Sequence, residues 1–146
     1  MPSIFSKIIS GEITAHRVAE SKDYLAFLDI QPLSVGHVLV VPKKEVDYIF
    51  DLDDDTYIGL MNFAKTVAGG LKKAVSCIKV GVAVIGLEVP HVHIHLIPMN
   101  QVGDMNFSKE KLKPSNEELT TIAEKIRLAI TSSNDTIKRS NIQLFK

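Results

Sequence analysis

Apolar positions recur along this chain in two different periods. Ile4, Phe5, Ile8 and Ile9 fall at helical spacing and stop at Gly11, which predicts a short first helix with Ser3 as its cap. Arg17–Glu20 and Tyr24–Leu28 read instead as short strands, with Ser21-Lys22-Asp23 as the turn between them. Asp29 to Gly36 is a loop punctuated by Pro32 and Gly36. His37-Val38-Leu39-Val40-Val41-Pro42 is rich in β-branched residues and predicts a central strand halted by its proline.

The longest periodic stretch follows Asp53-Asp54-Asp55, whose carboxylates suit a helix N-terminus. Leu60, Met61, Ala64, Val67, Ala68, Leu71, Ala74 and Val75 define one face of that helix. Gly69-Gly70 interrupts it without changing the phase. Glycine costs ~1 kcal/mol per helical position against alanine, so the pair is consistent with a close packing contact. Val80–Ile85 reads as a buried strand turning at Gly86, and a second strand begins after Pro90. Asn100 to Pro114 reads as a loop. Ser115-Asn116-Glu117-Glu118 forms a capping box that opens a last helix, with Leu119, Ile122, Ala123, Ile126 and Ile130 on one face. From about Thr131 to Lys146 the chain is a polar tail.

Hairpin-style strands with a few helices predict an antiparallel α+β sheet rather than a βαβ series. No internal repeat or linker divides the chain, so residues 1–146 read as a single domain. Hydrophobic residues make up 45% and charged residues 23%, the balance of an ordinary globular protein. Seventeen basic residues match 17 acidic ones. That neutrality argues against nucleic acid or an anionic membrane as a partner. The one cysteine, Cys77, has no internal disulfide partner, which suits a reducing, cytoplasmic compartment. The N-terminal residues lack the pattern of a signal peptide, and no apolar run approaches the ~18 residues of a membrane-spanning helix. Gly-rich dinucleotide loops and Walker loops are both missing.

The chemistry concentrates in His91-Val92-His93-Ile94-His95, which holds three of the five histidines. On a strand, side chains alternate between faces, so the imidazoles are expected on one face and Val92, Ile94 and Leu96 on the other. Same-face neighbours lie roughly 6–7 Å apart along a strand, and three bases could converge on one anion or metal ion. Three readings follow. The histidines are solvated surface. Or they ligate a catalytic metal with His37, although no carboxylate or cysteine cluster completes the set. Or one neutral imidazole is a nucleophile toward phosphorus, its far ring nitrogen held by an acceptor.

The stretch from His91 to Ile97 resembles the signature of the histidine triad (HIT) family, His-x-His-x-His followed by two apolar positions. Two upstream blocks, Phe27 to Pro32 and Gly36 to Lys43, resemble that family's ribose-side loop and following strand, and Ile4 to Ile13 its opening segment. The resemblance implies a HIT-like fold: an antiparallel sheet of about five strands, a long central helix, a short N-terminal helix and a C-terminal helix. It implies a metal-independent hydrolase or transferase acting at the α-phosphate of a purine nucleotide conjugate, of nucleoside phosphoramidate type. A dinucleoside polyphosphate hydrolase, or a nucleotide- or partner-binding protein with little turnover, is the alternative. It also implies a homodimer whose sheets join, and no cofactor.

The resemblance assigns roles to individual residues. His93 is the nucleophile, oriented by the backbone carbonyl of His91. His95 contacts the phosphate, and His37 completes the site. Asp29 accepts from the ribose hydroxyls, while Ile30, Phe5 and Ile8 line the base pocket. Two departures qualify it. Many bacterial members open with Cys-x-x-Cys and hold a structural zinc; here those positions are Ser3 and Ser6, and Glu45 replaces a frequent histidine, so no structural zinc is expected. The loop before the triad is short, with Leu87 where the family often has Gln and Glu88 where it often has Ser or Thr. A carboxylate beside a phosphate is unfavourable, so Glu88 is expected to face outward or to meet the leaving group.

Overall fold

The computed structural model describes residues 2–132. A short helix, α1 (Ile4–Ser10), precedes the hairpin β1 (Arg17–Glu20) and β2 (Tyr24–Leu28), then β3 (Val38–Pro42). The long helix α2 (Asp54–Ala74) leads to β4 (Lys79–Ala83), β5 (Ile94–Met99) and finally α3 (Asn116–Ser132). One antiparallel sheet has the order β1-β2-β3-β5-β4, as the α+β reading expects. Single 3₁₀ turns at Ile49–Asp51 and Val102–Asp104 fall where the sequence carried no periodic signal.

Period-two alternation divides the sheet into two faces. Ala26, Leu28, Val38, Val40, Ile94 and Leu96 point toward α2 and α3 and form the main core with Leu60, Val67, Leu71 and Ile126. Burying each such aliphatic side chain contributes about 1.5–3 kcal/mol. Leu25, Phe27, Leu39 and Val41 take the opposite face, where Phe5 and Ile8 of α1 cover them. The histidines that matter emerge beside this smaller cluster.

Caps fix the helix ends as expected. Ser3 Oγ accepts from the Ser6 N–H and Asp53 from the Thr56 N–H. Ser115 and Glu118 exchange reciprocal hydrogen bonds at 3.1 and 3.0 Å, closing the capping box ahead of α3.

Three expectations need correction. The buried face of α2 includes Phe63 and not Met61, which is 38% exposed, because the sheet meets the helix slightly off the expected stripe. Val80–Ile85 is not a buried strand: β4 is the sheet edge, and Val82, Val84 and Ile85 are exposed. Its apolar run misled because neither face of an edge strand need be covered. α3 reaches Ser132, and the rest of the expected polar tail, residues 133–146, lies outside the described residues. Finally, β5 starts at Ile94 and not at His91.

The glycine pair in α2 separates into two cases. A Cβ on Gly70 would stand 2.3 Å from Ile130 Cγ1 and 3.2 Å from the Ile130 backbone nitrogen, whereas one on Gly69 meets nothing within 4 Å. Gly70 is therefore where α3 crosses closely. Gly69→Ala is expected to raise stability by up to ~1 kcal/mol through helix propensity, and Gly70→Ala to lower it by about 1–3 kcal/mol through overpacking. Urea unfolding of the two variants checks this; equal shifts would contradict the close crossing.

Candidate active site

β3 and β5 place the chemistry side by side. Leu39 pairs with His95 and Val38 with Leu96 in antiparallel register. Residues just outside that ladder, His37 and His93, consequently fall on the same sheet face as His95. The three rings form a row: His37 and His95 have centroids 5.2 Å apart, His95 and His93 4.9 Å. His91 does not join them. It sits in the turn before β5, fully buried, with its ring directed at Ser3 and Pro42. The expected convergence of three imidazoles is thus reduced to two triad rings plus His37. A strand would have brought His91 onto that face, but the ladder has not yet begun there. Val92, Ile94 and Leu96 do fill the opposite core.

Hydrogen bonds fix the tautomers of the neutral rings. The Leu33 N–H donates to His37 Nδ1 at 3.1 Å, so the His37 proton resides on Nε2. That nitrogen lies 2.9 Å from His95 Nδ1 and donates to it. His95 consequently carries its proton on Nε2, a donor available to a ligand. His93 Nδ1 is 2.7 Å from the His91 carbonyl oxygen, and only N–H can donate to a carbonyl. In the neutral ring this hydrogen bond puts the proton on Nδ1 and leaves the lone pair on Nε2. His91 Nε2 donates to the Pro42 carbonyl at 2.8 Å, so its Nδ1 accepts from the Ser3 hydroxyl at 2.7 Å.

Burial sets the charge states. It pushes His37 down to about 3, with the His95 charge and Lys111 adding to the effect. Burial also pushes His95 down to about 4, helped by His93, and lowers His91. Asp29 is raised by burial, against a hydrogen bond from the Gln31 N–H and the charge of Lys111. Its second carboxylate oxygen lies 3.8 Å from His37 Nε2. That contact is not an ion pair, since His37 is neutral, and the oxygen remains a potential acceptor.

These shifts have a stability consequence. The unfolded chain takes up protons on these histidines near pH 6.5, whereas folded His37 and His95 resist until about 3 and 4. The unfolded state then binds more protons, so stability falls as pH drops below that value. Urea midpoints are expected to decline steadily from pH about 7 to about 4.5, most of it before carboxylates protonate. A flat profile over that interval would contradict buried neutral imidazoles.

Asp29, His37 and His95 also offer ligand atoms within 4.8 Å of one another. The hydrogen bonds fit a metal poorly. A metal on His37 Nε2 requires the proton on Nδ1, where the Leu33 N–H already donates.

The other expected residues are scattered. Phe5 is buried and packs edge-on against His93, centroids 4.9 Å apart. Ile8 is buried with Leu25, Phe27 and Leu39, which ordinary packing explains. Ile30 is 63% exposed on the loop after β2. Glu88 is exposed, beside Leu87, which is 89% exposed; both lie on the loop between β4 and β5. Ser3, Ser6 and Glu45 come together as a hydrogen-bonded group. Two contributors escaped sequence reasoning. Phe107 stacks edge-on against His95 at 4.9 Å, and Lys111 donates to the Phe107 carbonyl at 3.2 Å while its charge acts on Asp29 and His37. Their only signal was an aromatic residue in a loop without periodicity.

Known proteins share this fold. The HIT-domain profile matches residues 10–102. An uncharacterized HIT-like protein of Borreliella burgdorferi is 33% identical over 87% of this chain and 97% of its own length. An adenosine 5′-monophosphoramidase of Schizosaccharomyces pombe is 31% identical over 86% of this chain and 96% of that protein. The crystal structure of a HIT-like protein from Bartonella henselae superposes with a TM-score of 0.77 at 32% identity, covering 87% of this chain and 95% of that one. This five-stranded α+β sheet with its histidine row has the HIT fold, and the chain belongs to the HIT-domain family.

Proposed function

We propose that this chain hydrolyses a purine nucleotide conjugate at its α-phosphate, with a nucleoside 5′-phosphoramidate as the favoured substrate class. The observation that carries this reading is the 2.7 Å hydrogen bond from His93 Nδ1 to the His91 carbonyl. It leaves the Nε2 lone pair of His93 as the nucleophile. In the first step Nε2 bonds to phosphorus, the P–N bond breaks, and the leaving nitrogen takes a proton from solvent water and departs as the free amine. Water then attacks the nucleotidyl-histidine, releasing the nucleoside monophosphate and restoring His93. No step requires a metal or cofactor.

The remaining residues take supporting roles. The Nε2 proton of His95, placed there by His37, donates to a non-bridging phosphate oxygen as charge builds. Asp29 accepts from the ribose hydroxyls, which suits an acceptor-only carboxylate. Phe5 and Ile30 border the base. The kinship with a protein named adenosine 5′-monophosphoramidase supports this substrate class. The exposed edge of β4, with Val82, Val84 and Ile85 open, supports a homodimer in which two sheets pair. Such a strand is otherwise a liability for uncontrolled association. The lone cysteine supports a cytoplasmic setting, with neither nucleic acid nor membrane as partner. Among the described residues no helix is long and apolar enough to cross a membrane.

The exposed Leu87 and Glu88 favour one second reading, a nucleotide-binding protein with little turnover. Two assays separate the readings: adenosine 5′-phosphoramidate and a dinucleoside polyphosphate as substrates, with binding of adenosine monophosphate measured alongside. Turnover of the phosphoramidate in preference to the polyphosphate supports the first reading. Tight binding without turnover of either supports the second. In an active protein, Asp29→Ala is expected to raise KM by roughly 10- to 100-fold, the weight of a charged hydrogen-bond acceptor.

A further inference from the structure

The carbonyl that orients His93 belongs to a residue outside regular secondary structure, in the turn before β5. Something other than a sheet ladder must hold it. The segment after β3 supplies one side of the support. The Pro42 carbonyl accepts from His91 Nε2, and the Val46 carbonyl accepts from the Val92 N–H at 2.8 Å. The N-terminal segment supplies the other side. The Ser3 hydroxyl donates to His91 Nδ1 at 2.7 Å and accepts from the Ser6 N–H at 3.0 Å. Ser3 is buried although it is polar and near the chain terminus. Glu45 closes the ring: its Oε1 accepts from the Ser3 N–H at 2.7 Å and from the Ser6 hydroxyl at 2.6 Å.

We infer that Ser3 and Glu45 are positioning residues for the nucleophile. Acting through the side chain of His91, they fix the carbonyl that sets the tautomer and aim of His93. The inference rests on the proposed role of His93 and extends it to residues that touch no substrate.

The hydrogen-bond inventory explains why these residue types suit the task. A serine hydroxyl offers one donor and two acceptor sites. Here the donor goes to His91 and one acceptor site caps α1, two jobs that only a small hydroxyl side chain, Ser or Thr, combines. An imidazole with both ring nitrogens bonded cannot rotate, so its backbone is held as well. Glu45 accepts two hydrogen bonds with one oxygen, a geometry that favours the ionised carboxylate. The Ser3 N–H, then the Ser6 hydroxyl, hold it down to about 2. Glu45 therefore stays ionised throughout the neutral range, and its contribution is lost as pH falls from the ordinary 4.5 toward about 2. Phe5, in the same helix, packs edge-on against His91 and His93, so displacement of Ser3 is felt at both rings.

The test uses Ser3→Ala, Ser3→Thr and Glu45→Ala in the full chain, with two readouts. The first is the ring tautomer of His93 in the free protein, read from the ¹⁵N shifts of labelled histidine. The second is kcat and KM for adenosine 5′-phosphoramidate. Wild type and Ser3→Thr are expected to hold His93 as the Nδ1–H tautomer. Ser3→Ala and Glu45→Ala are expected to give a mixture and to lose roughly 10- to 100-fold in kcat, the scale of a misplaced reacting group, with KM changed less than about twofold. An unchanged His93 tautomer in both Ser3→Ala and Glu45→Ala overturns the inference, whatever the activity. Because the tautomer is read without substrate, a protein inactive on phosphoramidates still decides the question. Inactivity would count against the proposed reaction alone.

Discussion

His93→Ala is expected to reduce hydrolysis of adenosine 5′-phosphoramidate by roughly 10⁴-fold or more, the scale seen when a covalent nucleophile is removed. Affinity for adenosine monophosphate should change by only a few-fold, because the proposed nucleotide contacts belong to other residues, Asp29 on the ribose and His95 on the phosphate. The fold should survive. His93 is nearly buried, but its side-chain hydrogen bond among the described residues is to the His91 carbonyl, and its Phe5 and His95 neighbours form contacts of their own. Steady-state kinetics and a binding titration on the same preparation make the comparison. A variant that loses binding as much as turnover would place His93 among the recognition groups instead.

His95→Ala is expected to have the next largest effect, roughly 10²- to 10³-fold in kcat, the usual weight of one oxyanion-stabilising donor. The reasoning runs through the chain of donors from Leu33 to His37 to His95. That chain commits the Nε2 proton of His95 to the ligand side. Such a donor is worth more where burial excludes water, and His95 is 8% exposed. Removing the ring also leaves the His37 Nε2–H without its acceptor, a buried donor costing about 1–3 kcal/mol of stability. His37→Ala is expected to cost less in rate, since it reaches the phosphate only through His95. Rates for the two variants, with melting temperatures as a control, test the order. A His95→Ala enzyme close to wild type would contradict the donor assignment.

Local periodicity carried most of the fold. α1, β1, β2, α2 and α3 follow from spacing and caps, since each presents a clear face or a capping residue. What failed depended on neighbours that the sequence does not announce. Whether Val82 is covered depends on which strand ends the sheet, and Leu87 and Glu88 are exposed because of a loop path. The same limit applies to the site. His-x-His-x-His was legible as a chemical cluster, but period two was extended one turn too far. His91 lies before the ladder begins, so it contributes a carbonyl rather than a ring. Its support links Ser3 to His91 across 88 residues and Ser3 to Glu45 across 42, far beyond any local pattern. Phe107 and Lys111 were invisible for the same reason. Their segment has no periodicity, and the Leu112 N–H pins it to the Pro32 carbonyl only once the chain has folded.

The central claim is that His93 carries the nucleotidyl group between two chemical steps. Its most direct test is to mix the protein with adenosine 5′-phosphoramidate, quench within one turnover under conditions that preserve phosphorus–nitrogen bonds, and map the modified peptide by mass spectrometry. The expected result is an adenylyl group on Nε2 of His93 that forms and decays at rates consistent with kcat and is missing from His93→Ala. Turnover with no adduct on His93, or an adduct of equal yield in His93→Ala, would contradict it.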